Sequence, residues 1–209
     1  MSLVLHAAQR SANCYKVRLL LAHLGMPFDL RDVDILRGDT RTPEFLAMNP
    51  RGRVPVLQVE GGTVLIESNA ILMYLGEGTR FLPEDKLCRA MMMQWLFFEQ
   101  NSHHPSLGEA RFWMALIPGG RDLKRDLVDD WMEKGEEALS RMESQLARSP
   151  FVAGDRMTLA DIALYANTHL AHEAEFDLTP FPAVRGWIDR VAAEPGHVGM
   201  DWRPMPVAA

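Results

Sequence analysis

The chain has 209 residues, 47% hydrophobic and 24% charged, with a formal net charge of −6. That length supports one large domain or two small ones with real cores, and the balance of residue types argues against disorder. No apolar run approaches the roughly 20 residues of a spanning helix, and the acidic balance opposes a general affinity for nucleic acid.

The opening MSLVLHAAQRSANCYK has no basic stretch ahead of a long apolar core, so it does not read as a signal peptide. Leu3–His6 is a short apolar strand candidate. A helix is expected over about Asn13–Leu24, with Val17, Leu20, Leu21 and Leu24 at helical spacing; Gly25 stops it and Pro27 prevents a restart. Phe28–Val33 alternates like a strand, and Pro43–Met48 reads as a short helix. Val54–Val59 and Thr63–Ile66 flank Glu60-Gly61-Gly62, a hairpin signal, and a third helix follows over Ser68–Leu75. A hairpin after a βαβ unit is not the doubly wound dinucleotide pattern, and no G-x-G-x-x-G is present.

After Gly78 the composition changes. Phe81-Leu82-Pro83 reads as a linker, and helical periodicity then runs through Lys86–Phe98, Leu123–Leu146, Thr158–His172 and Ala183–Ala193. The expected division is therefore an α/β domain over 1–78 and an all-helical domain over 84–209, the latter ending in an extended Gly/Pro-containing tail from Gly196.

Three segments of the first part carry chemistry. Ser11-Ala12-Asn13-Cys14 lies between a strand and a helix start, where orphan backbone N–H groups and the positive end of the helix dipole suit an anion. Ser11 or Asn13 can add a donated hydrogen bond there, or simply cap the helix. In Asn49-Pro50-Arg51-Gly52-Arg53-Val54-Pro55, the proline sits at a strand entrance. With a cis bond it exposes the Val54 backbone to an extended peptide ligand, and with a trans bond it is an ordinary loop proline. In Glu67-Ser68-Asn69, Ser68 is placed to cap a helix whose start can receive a carboxylate, and Glu67 to receive an amino group.

In order and spacing, these segments resemble the glutathione-binding half of the cytosolic, bacterial-type glutathione S-transferases. The resemblance implies a thioredoxin-like N-terminal domain and an all-α C-terminal domain. It places Ser11 or Asn13 at the glutathione sulfur, Val54-Pro55 on the backbone of its cysteine, Glu67-Ser68 at its γ-glutamyl end, and Arg53, with Arg41 as a weaker match, near its carboxylates. It extends to Gly154-Asp155-Arg156-Met157-Thr158-Leu159-Ala160-Asp161, which on physical grounds alone reads as a capping box serving folding. By position it also suggests Phe98, His103, Arg111, Phe112 and Trp113 as lining for a second-substrate pocket. Further implications are a homodimer and a role in detoxification, with glutathione as co-substrate and a hydrophobic electrophile as its partner.

Other features are read as structural. Adjacent His103-His104 point roughly 100° apart on a helix and cannot face one metal together, so no metal is expected and a surface or pocket-lining place is. Met91-Met92-Met93 is core or interface filler, and Lys134, Glu136 and Glu137 form a solvated helix face. Cys88 reads as an inert thiol, buried or half-buried. Cys14 stands in the frame of a C-x-x-C motif whose first residue is Ser11, so the chain alone has no dithiol. Two distant cysteines suggest neither a metal knuckle nor a secreted disulfide framework, and point to a reducing cytoplasm. The alternatives that stay open are disulfide reduction, isomerisation or dehalogenation at the same glutathione site, and a non-catalytic interaction protein on the same fold.

Overall fold

The structure, a computed structural model, describes residues 3–205. The chain divides into two compact units, one comprising the chain up to Glu77 together with the segment from Pro195 onward, the other running from Gly78 to Glu194.

The first unit opens with β1 (Val4–Ala7), α1 (Ala12–His23) and β2 (Asp29–Asp32). A 3-10 turn at Asp39–Arg41 leads into α2 (Pro43–Met48), followed by β3 (Val56–Gln58), β4 (Val64–Ile66) and α3 (Ser68–Gly76). The sheet order is β2-β1-β3-β4, with β1 and β2 parallel and the other pairs antiparallel. This mixed sheet with its flanking helices is the thioredoxin-like arrangement. Local chemistry sets its punctuation. Gly25, at φ +60°, ends α1 as its N–H reaches Ala22 O and the Met26 N–H reaches Leu21 O, the paired bonds of a Schellman stop. Thr42 caps α2 by accepting from the Phe45 N–H, with Pro43 at the first helical position. Gly61 and Gly62, both at positive φ, carry the turn between β3 and β4.

The pleat sends His6, Val56 and Ile66 to one face, where Val56 joins Phe45 of α2 and Val33 in a buried cluster that also takes in Val54 and Ile66. Leu5 and Leu57, paired in register and fully buried, face the other way, and α1 packs against α3. The β3 ladder is shorter than the expected Val54–Val59 because Pro55 has no N–H to give it.

In the second unit α4 (Lys86–Phe98) is capped by Asp85, which accepts from the Cys88 N–H. Helical backbone then continues as π-helix over Glu99–Gly108, α5 (Glu109–Arg111) and a second π-helical stretch over Phe112–Leu116. The α-helix ends at Phe98, the expected bound, and π-helical backbone continues beyond it. Pro105 lacks an N–H, and the wider π turn, whose bonds span one residue more, carries the chain past it. After α6 (Gly120–Leu123) come α7 (Arg125–Leu146), α8 (Leu159–Thr168), a 3-10 turn at Ala171–Ala174 and α9 (Pro182–Ala192). The core of this unit is built on Met92, Leu139, Met142, Ile162, Val184 and Trp187, all fully buried. At its centre Asp161 closes the capping box of α8. It accepts from Thr158 N–H and Oγ1, from the Val152 N–H at 3.0 Å and from Trp187 Nε1 at 2.9 Å.

Two expectations need correction here. The described tail, from Pro195 to Met205, belongs to the first unit and not to a helical domain over 84–209, because its carbonyls are taken by side chains of α1 and the loop before it. Cys88 is exposed, not buried, since it lies in the first turn of α4 with its side chain outward. Of the three consecutive methionines Met92 is core, within the expectation of core or interface filler, and Met91 and Met93 are exposed.

Candidate active site

The site is built in the first unit where three segments meet. Ser11, in extended backbone, caps α1 by accepting from the Cys14 N–H at 3.3 Å. The cap uses a lone pair on Oγ, and the hydroxyl also hydrogen-bonds the Cys14 thiol, so donation to a ligand would replace that contact. Asn13, half-buried in the first turn, accepts at Oδ1 from Ser68 Oγ at 3.5 Å, which ties the start of α1 to the start of α3.

Lys16, one turn further along α1, is fully buried and donates from Nζ to Ser68 Oγ at 3.3 Å. A helical lysine normally reads as solvated, so nothing in the sequence marked this one. Residues 14–21 are all buried, a consequence of packing that the sequence does not display.

The Val54-Pro55 peptide bond is cis. Val54 is half-buried and stands two residues ahead of the β3 ladder. Asn49 holds the approach to it, donating from Nδ2 to Arg53 O at 2.7 Å while its Oδ1 accepts from the Arg51 N–H. Glu67, between β4 and α3, has φ +68° and ψ +112°, a conformation that costs a non-glycine residue of order 1–3 kcal/mol. Strain of this kind gathers where backbone is held for a ligand.

Two arginines need separating. Arg53 is exposed, and Arg41, also exposed, donates from Nη1 to Arg51 O at 3.4 Å. The residue that pairs with the Glu67 carboxylate is Arg51, for which the sequence carries no distinguishing signal. Gly52 between them sits at φ +58°, and a Cβ there would lie 2.5 Å from Arg41 Nη1 and 2.8 Å from Thr40 O, so only glycine permits this cluster.

Cys14 is fully buried, and burial pushes its thiol up to about 11. It is inert beside the site and no partner in redox chemistry.

The five residues expected to line a second-substrate pocket lie in the second unit and have unequal roles. Phe98 borders a groove of about 560 Å³ that also touches Ser102, Asp130, Lys134 and Arg141. Phe112 and Trp113, half-buried, pack edge to face. His103 is neither at the surface nor open to a ligand: it is fully buried with Nε2 bonded to Thr168 Oγ1 at 2.8 Å. Arg111 is buried and spends its guanidinium on Glu173 at 2.9 Å. Among the described residues no three His, Cys, Asp or Glu gather as a metal site, and no helix is long and apolar enough to cross a membrane.

The arrangement matches a known family. Residues 10–77 match the model of the glutathione S-transferase N-terminal domain, and residues 125–190 that of its C-terminal domain. Glutathione S-transferase 3 of Zea mays is 33% identical over 92% of this chain and 90% of its own. A maleylacetoacetate isomerase of Pseudomonas aeruginosa is 33% identical over 91% and 92%. A disulfide-bond oxidoreductase of Escherichia coli is 28% identical over 88% and 87%. The crystal structure of a possible glutathione S-transferase from Rhodopseudomonas palustris, 48% identical, superposes with a TM-score of 0.95 over 99% of this chain and 93% of that one. A Pseudomonas fluorescens family member solved with two glutathione molecules bound is 26% identical, with a TM-score of 0.81 over 93% and 89%. This chain belongs to the glutathione S-transferase family.

Proposed function

We propose that the protein is a glutathione transferase that binds glutathione in its first unit, holds the thiol as a thiolate and directs it at a hydrophobic electrophile. The observation that carries this reading is Ser11 at the start of α1, where a hydroxyl with a hydrogen to give stands beside the helix N-terminus. The glutathione-bound family member supports the ligand.

The magnitudes are adequate. Bringing a thiol from a pKa of about 8.5 to about 6.5 takes ~2.7 kcal/mol. A hydrogen bond to a charged group contributes about 1.5–3 kcal/mol, and a helix N-terminus adds roughly 0.3–1 kcal/mol. Ser11 donates to the sulfur and the start of α1 supports the charge. The Val54 backbone pairs with the cysteinyl portion of glutathione, Ser68 and the strained turn at Glu67 receive its γ-glutamyl end, and Arg53 with Arg41 faces its carboxylates. The thiolate then attacks carbon and the leaving group departs with its electron pair. In this reading Phe98, Phe112 and Trp113 contribute apolar surface to the second substrate, while His103 and Arg111 act as supports from within the helices. A symmetric homodimer in the cytoplasm and a role in detoxification complete the proposal.

The test is Ser11→Ala with an activated halogenated nitrobenzene as electrophile. The expected result is a kcat lowered by about 10–100-fold and a raised pKa of the bound thiol. Unchanged values for both reject Ser11 as the donor and pass the role to Asn13. A second reading, reduction of disulfides through glutathione thiols, is favoured by the relative named as a disulfide-bond oxidoreductase and by Asn13 in the first turn. Turnover of a mixed disulfide well above that of the nitrobenzene selects it.

A further inference from the structure

The described end of the chain, Pro195–Met205, is held by its main-chain carbonyls, and the side chains that hold it also hold the loop before Ser11. Gln9 lies two residues ahead of Ser11, in a turn where the Ser11 N–H donates to Ala8 O at 3.1 Å. The Gln9 amide donates from Nε2 to Met200 O at 2.8 Å and to Trp202 O at 3.4 Å. Arg18, fully buried in α1, donates from Nη1 to Gln9 Oε1 and from Nη2 to Gln9 O, both at 2.9 Å, and from Nη2 to Met200 O at 2.8 Å. Loop, helix and tail thus close one ring, with Met200 O accepting from both other members. Tyr15 Oη donating to Val198 O at 2.6 Å, Arg203 on Asp32 and Trp202 against Phe28 fasten the segment on either side.

We infer that this segment is a strap that positions the Ser11 loop, with Gln9 and Arg18 as positioning residues acting through Ser11. A buried guanidinium depends on the acceptors its N–H groups find. Arg18 places its two terminal nitrogens on Gln9 of the loop and on one carbonyl from the tail, while Nε has no hydrogen-bond partner among the described residues, so the fastening of loop to tail rests on Nη1 and Nη2. Burial also pulls the Arg18 guanidinium below its usual range, which makes these acceptors more consequential. A donor to a thiolate is sensitive to placement, and a shift of about 1 Å costs as much as a hundredfold in rate. The strap thereby gives the end of the chain a part in setting the thiol.

This inference rests on the Ser11 reading, so its test is a cycle on the full chain. Gln9→Ala is expected to lower kcat about tenfold and to raise the bound-thiol pKa, read from thiolate ultraviolet absorbance, while the KM for glutathione stays within about twofold. In a Ser11→Ala background the same change is expected to have no further effect on either quantity. Gln9→Glu is the second variant. It keeps an acceptor for Arg18, and so the fold, but places a carboxylate against the carbonyls of Met200 and Trp202. It is expected to match Gln9→Ala in kcat and thiol pKa and to speed amide exchange in the strap. A costly Ser11→Ala with silent Gln9 variants overturns the strap and leaves the Ser11 reading standing. A silent Ser11→Ala with costly Gln9 variants overturns both the Ser11 reading and the strap's action through Ser11. Silence in both overturns both.

Discussion

Lys16 Nζ, fully buried in α1, donates to Ser68 Oγ, the hydroxyl at the first residue of α3. The bond joins the helix start proposed for the sulfur to the one proposed for the γ-glutamyl end. It also settles hydroxyl direction: with a lone pair taken by an ammonium, Ser68 turns its own hydrogen toward Asn13 Oδ1 or a ligand carboxylate. Lys16→Met keeps the aliphatic length and removes the donor. The expected outcome is glutathione binding weakened about tenfold in calorimetry, the scale of one charge-assisted hydrogen bond, with turnover of the saturated enzyme nearly unchanged. An unaltered Kd counts against the link.

Asp161 is a folding residue. Asp161→Ala strands the buried Trp187 indole N–H and the N–H groups of Val152 and Thr158, all of which now end on its carboxylate. Removing one partner from a buried charged network costs about 3–5 kcal/mol, so the Tm is expected to fall by roughly 10 °C in a chain of this size. Activity per folded molecule at low temperature should not change. A stable but inactive variant contradicts the assignment.

What the sequence made legible follows the same physics. The ends of α2 were readable because Thr42 and Pro43 are cap and first-turn signals, and the bounds Pro43–Met48 are those observed. The capping box of α8 was readable because its two members are three residues apart. The helical run from Phe98 to Leu116 was not, since Pro105 and the polar residues around it break the α period that a π turn does not follow. Within the site, three local segments could be named, but Lys16 and Arg51 could not. Lys16 matters through burial, which comes from packing, and Arg51 differs from Arg53 only in which side of Gly52 it leaves. Gln9 and the strap were illegible for a related reason: their partners are more than 190 positions apart.

The two cysteines make opposite predictions. Cys14 is fully buried with its thiol pushed up to about 11, whereas Cys88 is exposed on α4, where the Asp85 carboxylate raises its thiol through a hydrogen bond. Alkylation of the native protein by iodoacetamide at pH 8 is expected to label Cys88 slowly and Cys14 only after denaturation. Cys14→Ala should retain full activity. Peptide mass spectrometry checks the first, and loss of turnover in Cys14→Ala would restore that thiol to the chemistry.

The strap also carries a pH dependence. His197 is half-buried beside His23, its ring 6.4 Å away, and near the Tyr15 hydroxyl, which lies 3.4 Å from Nε2. Burial, then the charge of His23, holds the His197 imidazole below its usual value of 6.5. A histidine lowered in the folded state binds fewer protons there than in the unfolded chain, so its contribution is complete above about pH 6.5. That contribution is lost as pH falls through the folded value, when the His197 ring gains its proton in this half-buried place. The expected outcome is faster amide exchange in Gly196–Trp202 and a lower Tm between pH 6.5 and 5, both reduced in His197→Asn, which cannot charge. If Ser11 is held through Gln9 and the strap, the bound-thiol pKa should drift upward over that same interval in the parent and not in His197→Asn. A strap whose exchange is flat from pH 7 to pH 5 is fastened without a contribution from the His197 ring.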